Sequence, residues 1–267
     1  MIVAIRQMKN EARLQDSFKE KLRVLQRGDV VQEILSNISG IDVLFVRCLG
    51  LGSVSVSYLA MYQLCLLKLV VDYLNQNLNE RNKEESEMVE IKVSLWDPVF
   101  SHEDKEFFEN HLKYTVEEEF KCDPSSVLYY MPHFPVSIFE SVLTEEKPKF
   151  ILANDLTAYA IKFPETKYFS QYPNCARLTK LITNKAKEEL VEKENCTAVK
   201  PPDDGFQIVK KKNRKKKNSL VYQPPVIDYG FETAYFKKVK SSIIREGNNT
   251  DNPWSSAFTD MSFMVID

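Results

Sequence analysis

The chain has few of the residues that mark a zinc site or a disulfide framework. Its 267 residues include three histidines and five cysteines. The cysteines, at positions 48, 65, 122, 175 and 196, show no Cys-x-x-Cys spacing. His102 and His111 are nine residues apart and do not share a helical face, so no zinc pair follows. An odd, unpatterned set of cysteines is typical of reduced thiols in the cytoplasm or the nucleus.

Long apolar runs and an excess of one charge are also missing. No stretch approaches the ~18 apolar residues of a membrane span. Residues 1–22 carry charges throughout, unlike a secretory signal. The formal net charge is −2, so no overall field draws the chain to nucleic acid or to a membrane. We therefore expect a protein of the cytoplasm and nucleus that does not bind membranes.

The usual signatures of nucleophilic catalysis and triphosphate binding are absent. The sequence has no G-x-S-x-G motif, no Walker loop and no cysteine next to a histidine. A Cys-Pro step is missing too, which leaves direct heme sensing through that motif without support. These absences favour a protein that is not an enzyme. If it is one, we expect a transferase that uses an adenosyl cofactor.

Only seven glycines occur, and two of them, Gly50 and Gly52, follow an apolar run at residues 43–48. A long apolar segment at 54–74 comes next, with Ser53 as the expected helix cap. This pattern predicts a buried strand, a tight turn and a helix. Such a turn brings backbone N–H groups and the positive helix end together, where a phosphate or carboxylate can bind.

Strands and helices alternate beyond this unit. Further strands are predicted at residues 88–96, 114–118, 126–131 and 149–153, and helices at 101–112 and 135–143, with a polar loop at 75–87. Right-handed crossovers then give an α/β fold with a Rossmann-like, open, mostly parallel sheet of order 3-2-1-4-5.

The two ends extend this domain. Residues 1–40 are predicted to form an N-terminal helical extension, and residues 41–267 the main domain with a basic, loop-rich insert at about 195–235. Residues 235–244 are interpreted as helical. Residues 258–266 are apolar enough for a C-terminal edge strand.

Gly50, Gly52, Ser53 and Asp97 form the predicted ligand-binding set. Asp97 ends the second strand, where its carboxylate would accept the hydroxyls of a ribose. The third glycine of a dinucleotide fingerprint is missing, and a two-glycine turn suits S-adenosylmethionine as well as NAD. In the alternative interpretation, the turn only packs helix on strand, and Asp97 caps a turn before Pro98.

Three further residues are candidates for chemistry. His133 follows the fourth strand and Asp155 the fifth, so both would meet Asp97 at one rim, suited to proton transfer or metal binding. The alternative is that His133 ties down a loop, and we assign no metal ligands. Arg47 lies inside the predicted first strand, and a buried charge needs a partner. That partner is expected to be either an anion bound in the crevice at the strand ends or a carboxylate on a neighbouring strand.

A basic run at residues 210–217, from Lys210 to Lys217, has seven basic residues in eight. It is interpreted as a nuclear import signal, as a contact for an acidic protein partner, or as a solvated loop. No aromatic residue accompanies the run before Tyr222, which argues against a nucleic-acid platform.

Five segments together resemble the family called sensitivity to red light reduced, over about residues 41–267. They are Gly-Leu-Gly-Ser at 50–53, Tyr-Gln-Leu at 62–64, Asp-Pro-Val-Phe-Ser at 97–101, Tyr-Met-Pro-His at 130–133 and Ala-Phe-Thr-Asp-Met-Ser at 257–262. The sequence departs from the family pattern at Asn154 and Asp155, where Gly-Asn-Ser is expected.

The resemblance implies a soluble intracellular regulator with an α/β domain. Its relatives are linked to light and clock signalling, to control of heme synthesis and to microtubule-related processes, and the family has no settled reaction. With the glycine turn, this predicts a regulatory protein that binds a nucleoside-like metabolite. The alternative is an S-adenosylmethionine-dependent methyltransferase or another nucleotide-cofactor enzyme. Such an enzyme would turn over its cofactor, whereas the regulatory protein would only bind its ligand.

Overall fold

The computed structural model describes residues 2–81, 89–196, 226–245 and 252–267. Within them one seven-stranded sheet has the order β3-β2-β1-β4-β5-β7-β6. The strands are β1 Phe45–Leu49, β2 Lys92–Trp96, β3 Thr115–Val116, β4 Val127–Met131, β5 Phe150–Asn154, β6 Val239–Ile243 and β7 Met261–Ile266. Strands β1 to β5 pair in parallel. The predicted open, mostly parallel sheet of order 3-2-1-4-5 is therefore confirmed.

Helices cover both faces of this sheet. They are α1 Ile2–Leu25, α2 Asp29–Asn37, α3 Tyr58–Arg81, α4 His102–Glu106 continued by a π-helical segment Phe107–Leu112, α5 Val136–Glu145, α6 Leu156–Ala160, α7 Glu165–Gln171 and α8 Pro173–Cys196. None of the helices described here has the length and apolar character needed to cross a membrane.

The side chains of β1 alternate between the two faces. Val46 and Cys48 pack into the core beneath α3, while Leu49 packs into a second core with α5 and α8. The N-terminal helices join the first of these cores through Phe18 and Leu25. The predicted N-terminal helical region is confirmed.

The predicted C-terminal strand is confirmed, but it is not the edge of the sheet, because β6 pairs outside it. β7 pairs antiparallel with β5, and β6 pairs antiparallel with β7 at the outer edge. The helix predicted at residues 235–244 is wrong, because Val239–Ile243 pairs with β7 along its whole length. The backbone N–H groups of Lys237 and Lys238 also donate to the Asp267 carbonyl, which aligns this segment with the sheet.

The predicted polar loop at 75–87 is wrong in its first half, because α3 continues to Arg81. Leu74 and Leu78 are buried and extend the apolar face of α3 by a turn. Asn75 is polar for a different reason: its side-chain carbonyl accepts the Ile91 N–H at 2.7 Å, next to β2. Residues 82–88, the basic run at 210–217 and most of the predicted insert lie outside the described residues.

The connection from β3 to β4 determines where the sheet is left open. Residues 117–126 pass from the β3 edge to β4, across β2 and β1, with a single 3₁₀ turn and no α-helix. Parallel strands are usually joined through a helix that covers the sheet. Without one, the face of β1 and β2 on the α5 side is open to a cleft.

Candidate functional site

The cleft has a volume of about 520 Å³ and lies at the carboxyl ends of β1 and β2, beside α5. The strand order reverses between β1 and β4, and open α/β sheets bind their ligands outside the strand ends at such a point. Trp96, Phe134, Ile138 and Val142 supply apolar walls. Position and lining are those of a small-molecule site.

Gly50 and Gly52 form the turn at the edge of the cleft, and both need to be glycine. Their φ angles are +68° and +79°, in the left-handed region that disfavours other residues. A Cβ on Gly50 would lie 2.4 Å from Cδ2 of Phe134. The aromatic ring thus packs directly on the backbone, and Gly50 shapes the cleft as well as the turn.

Asp97 joins this turn to the end of β2. Its Oδ2 accepts the Gly52 N–H at 2.8 Å, and its Oδ1 accepts the Val99 N–H at 3.0 Å. The carboxylate is buried and also lines the cleft. The structure therefore places Asp97 beside Gly50 and Gly52, as predicted, and gives it two backbone partners.

Ser53 does not cap α3, contrary to the prediction, because α3 begins at Tyr58. The Ser57 hydroxyl accepts the Ala60 N–H in the first turn instead. The Ser53 hydroxyl lies 3.1 Å from that of Ser55.

A second carboxylate binds the segment between the glycine turn and α3. Asp104 Oδ1 accepts the Ser55 N–H at 2.8 Å. Its Oδ2 accepts the N–H of Ser101, which completes a capping box at the start of α4. Asp104 is fully buried. Two N–H donors at the turn, those of Gly52 and Ser55, are therefore already bound by carboxylates of the chain itself.

Arg47 is 2% exposed and holds the helix-free crossover against β1. Its Nη1 donates to the Glu117 carbonyl at 2.8 Å, and its Nη2 to the Glu118 carbonyl at 2.7 Å. Nη1 also donates to the Ser94 hydroxyl at 2.6 Å. The partner of Arg47 on the neighbouring strand is thus the Ser94 hydroxyl and not a carboxylate. Its other two partners are backbone carbonyls of the crossover.

Arg47 is one of the residues that line the cleft, and its buried Nε has no hydrogen-bond partner among the described residues. Burial lowers the pKa of Arg47, and the charges of Glu146 and Glu117 oppose this shift. Glu146 also lines the cleft, and its buried Oε2 has no partner either. Burial, and then the Glu146 charge, raise the pKa of Tyr129 in β4.

His133 and Asp155 make local contacts at the ends of β4 and β5. The His133 Nε2 lies 2.9 Å from the Ser256 carbonyl and 3.1 Å from that of Ala257. Asp155 caps α6 by accepting the Thr157 N–H at 3.0 Å. In the described parts of the chain, no group of three or more His, Cys, Asp or Glu side chains is placed to hold a metal ion.

Residues 16–265 match the model of the SRR1 domain. The chain belongs to the SRR1 domain family. The match covers nearly the whole chain and agrees with the resemblance inferred from the five segments. No match was found among curated proteins or solved structures.

Three of the five characteristic segments meet in the SRR1 domain above the end of β4. The Gln63 side chain donates to the Ala257 carbonyl at 3.1 Å, and the Tyr130 hydroxyl donates to the Gln63 carbonyl at 3.1 Å. His133 binds the same carbonyl of Ala257. These segments therefore fasten the loop before β7 to α3 and β4.

Phe134 and Glu146 belong to the SRR1 cleft, and the sequence analysis missed both. Phe134 directly follows His133. The available signal was Gly50 itself, because a glycine in a chain with only seven of them indicates a close packing partner. Glu146 follows the end of α5. Nothing in its local sequence indicates that its carboxylate reaches the cleft near Arg47.

Proposed function

We propose that this SRR1 protein is a regulatory protein that binds a nucleoside-like metabolite in the cleft at the end of β1. The observation that carries the proposal is the cleft itself: about 520 Å³ at the strand-order reversal, lined by the Asp97 carboxylate and by aromatic and aliphatic side chains. Ligands of open α/β sheets bind at such a point.

Gly50, Gly52, Ser53 and Asp97 are the proposed contacts for the sugar. A carboxylate has about four acceptor positions, and backbone N–H groups occupy one on each oxygen of Asp97. Room remains for a ribose hydroxyl. Trp96 and Phe134 offer aromatic surface for a planar base.

The wider role is proposed from the family. We place the protein in the cytoplasm and nucleus, in signalling, in control of heme synthesis or in microtubule-related processes. The basic run at residues 210–217 would recognise an acidic protein partner through its charge. His133 and Asp155 are proposed as structural residues, because loop carbonyls and a helix end account for their contacts.

One observation favours a second candidate, an S-adenosylmethionine-dependent methyltransferase. A reversed β7 between β5 and β6 is the strand arrangement typical of those enzymes. Topology alone does not assign an activity. Incubation with methyl-labelled S-adenosylmethionine and heat-inactivated cell extract, with and without the purified protein, distinguishes the candidates, because only a methyltransferase adds label above the extract alone.

Calorimetry with adenosine and with S-adenosylmethionine tests the proposed site. We expect saturable binding by the wild-type protein. Ile138→Ser should weaken it roughly ten-fold, because the change removes apolar surface of the cleft wall equivalent to about 1.4 kcal/mol.

Ile161→Ser is the matched control. Ile161 is 86% exposed and lies outside the cleft, whereas Ile138 is 49% exposed and lines it. The control should bind like the wild type. No saturable heat with either ligand, or equal weakening by both variants, would contradict the proposal.

A further inference from the structure

The charges around the cleft are strongly unbalanced. Among the described residues that line it, Arg47 is the one cation, against four carboxylates: Asp97, Glu118, Glu145 and Glu146. Glu118 and Glu145 are exposed at the mouth. A ligand that enters therefore passes acidic side chains before it reaches the single arginine.

Two N–H groups at the glycine turn are unavailable to a phosphate. In a nucleotide-binding turn, backbone N–H groups and a helix N-terminus hold the phosphate. Here the N–H groups of Gly52 and Ser55 donate to Asp97 and Asp104, at 2.8 Å each. An incoming phosphate would have to displace a carboxylate or share its donors at close range, where like charges repel.

Arg47 has little left to offer a phosphate. It uses N–H groups on both of its terminal nitrogens to bind carbonyls and a hydroxyl of the chain. Its Nε has no partner among the described residues but is buried away from solvent. The arginine of the cleft is therefore largely engaged by the chain itself.

We propose that the cleft takes a phosphate-free nucleoside-type ligand, neutral or cationic, and discriminates against phosphorylated ones. This inference rests on the proposed function and narrows its ligand class. Adenosine and S-adenosylmethionine belong to the accepted class. NAD, which carries a pyrophosphate, belongs to the rejected class.

Adenosine and AMP form the matched ligand pair for the test, because they differ by one phosphate group. Calorimetric titration of the full chain at neutral pH and physiological salt should give adenosine a Kd at least ten-fold lower than that of AMP. The double variant Glu118→Gln/Glu145→Gln removes two charges from exposed positions at the mouth. It should reduce the adenosine preference several-fold.

Glu80→Gln/Glu188→Gln is the control, since it removes two exposed carboxylates that do not line the cleft. It should keep the wild-type preference. AMP binding as tight as adenosine binding would overturn this inference and leave the proposed function standing. An unchanged preference in the mouth variant would overturn the charge argument. Binding of neither ligand would overturn both proposals.

Discussion

Asp97→Ala is expected to lower the free energy of unfolding by about 1–3 kcal/mol. The change leaves the N–H groups of Gly52 and Val99 without their acceptor. Val99 is exposed and water can replace its acceptor, whereas the partly buried Gly52 donor left unpaired costs about 1–3 kcal/mol. It also disconnects the glycine turn from the end of β2. Denaturant unfolding of both proteins measures the difference.

Asp123→Ala is the matched control, because Asp123 also accepts a backbone N–H two residues ahead, from Ser125 at 3.0 Å. Asp123 is exposed, so water replaces the lost acceptor. The free energy of unfolding of Asp123→Ala should therefore fall by less than about 1 kcal/mol, within the net value of a hydrogen bond. Equal losses at Asp97 and Asp123 would show that the buried carboxylate does not hold the turn.

Gly50→Ala is expected to lower the free energy of unfolding by about 2–5 kcal/mol. An alanine in the left-handed region costs about 1–2 kcal/mol. Overpacking a filled site adds about 1–3 kcal/mol, and here the new Cβ would lie 2.4 Å from the Phe134 ring. The midpoint of denaturant unfolding should fall accordingly.

Gly40→Ala separates the two causes. Gly40 also has a positive φ, +85°, but a Cβ there meets no atom within 4 Å. The free energy of unfolding of Gly40→Ala should therefore fall only by the cost of the left-handed backbone conformation, about 1–2 kcal/mol. The double variant Gly50→Ala/Phe134→Ala should lose less stability than the sum of the two single losses, because removing the ring removes the overlap with the new Cβ. Losses at Gly50 and Gly40 that agree would contradict the close contact with Phe134.

The order of the parallel strands could be predicted because it follows from local patterns. Strands β1, β2, β4 and β5 are short apolar runs between turn signals, and right-handed crossovers then restrict the order. β6 could not be predicted this way. Its partner β7 lies later in the chain, and pairing with a distant strand overrides the local pattern of residues 235–244.

The site shows the same division between local and distant determinants. The position of Asp97 next to the glycine turn could be predicted, because the carboxyl ends of adjacent parallel strands lie side by side. The start of α3 at Tyr58 does not follow from local sequence, because Asp104, 49 residues from Ser55, binds the segment before the helix. The partners of Arg47 were equally hidden, since they are carbonyls of a crossover whose path the sequence does not reveal.

The most direct test of the central claim uses the two tryptophans of the chain. Trp96 lines the cleft, whereas Trp254 packs against Gly28 near the N-terminal helices. Each gives one indole N–H signal in a ¹⁵N–¹H spectrum, and single Trp→Phe variants assign them. On titration with adenosine, the Trp96 signal should shift saturably while that of Trp254 stays in place. A stationary Trp96 signal at saturating adenosine, or a shift of Trp254 alone, would contradict a ligand site at the end of β1.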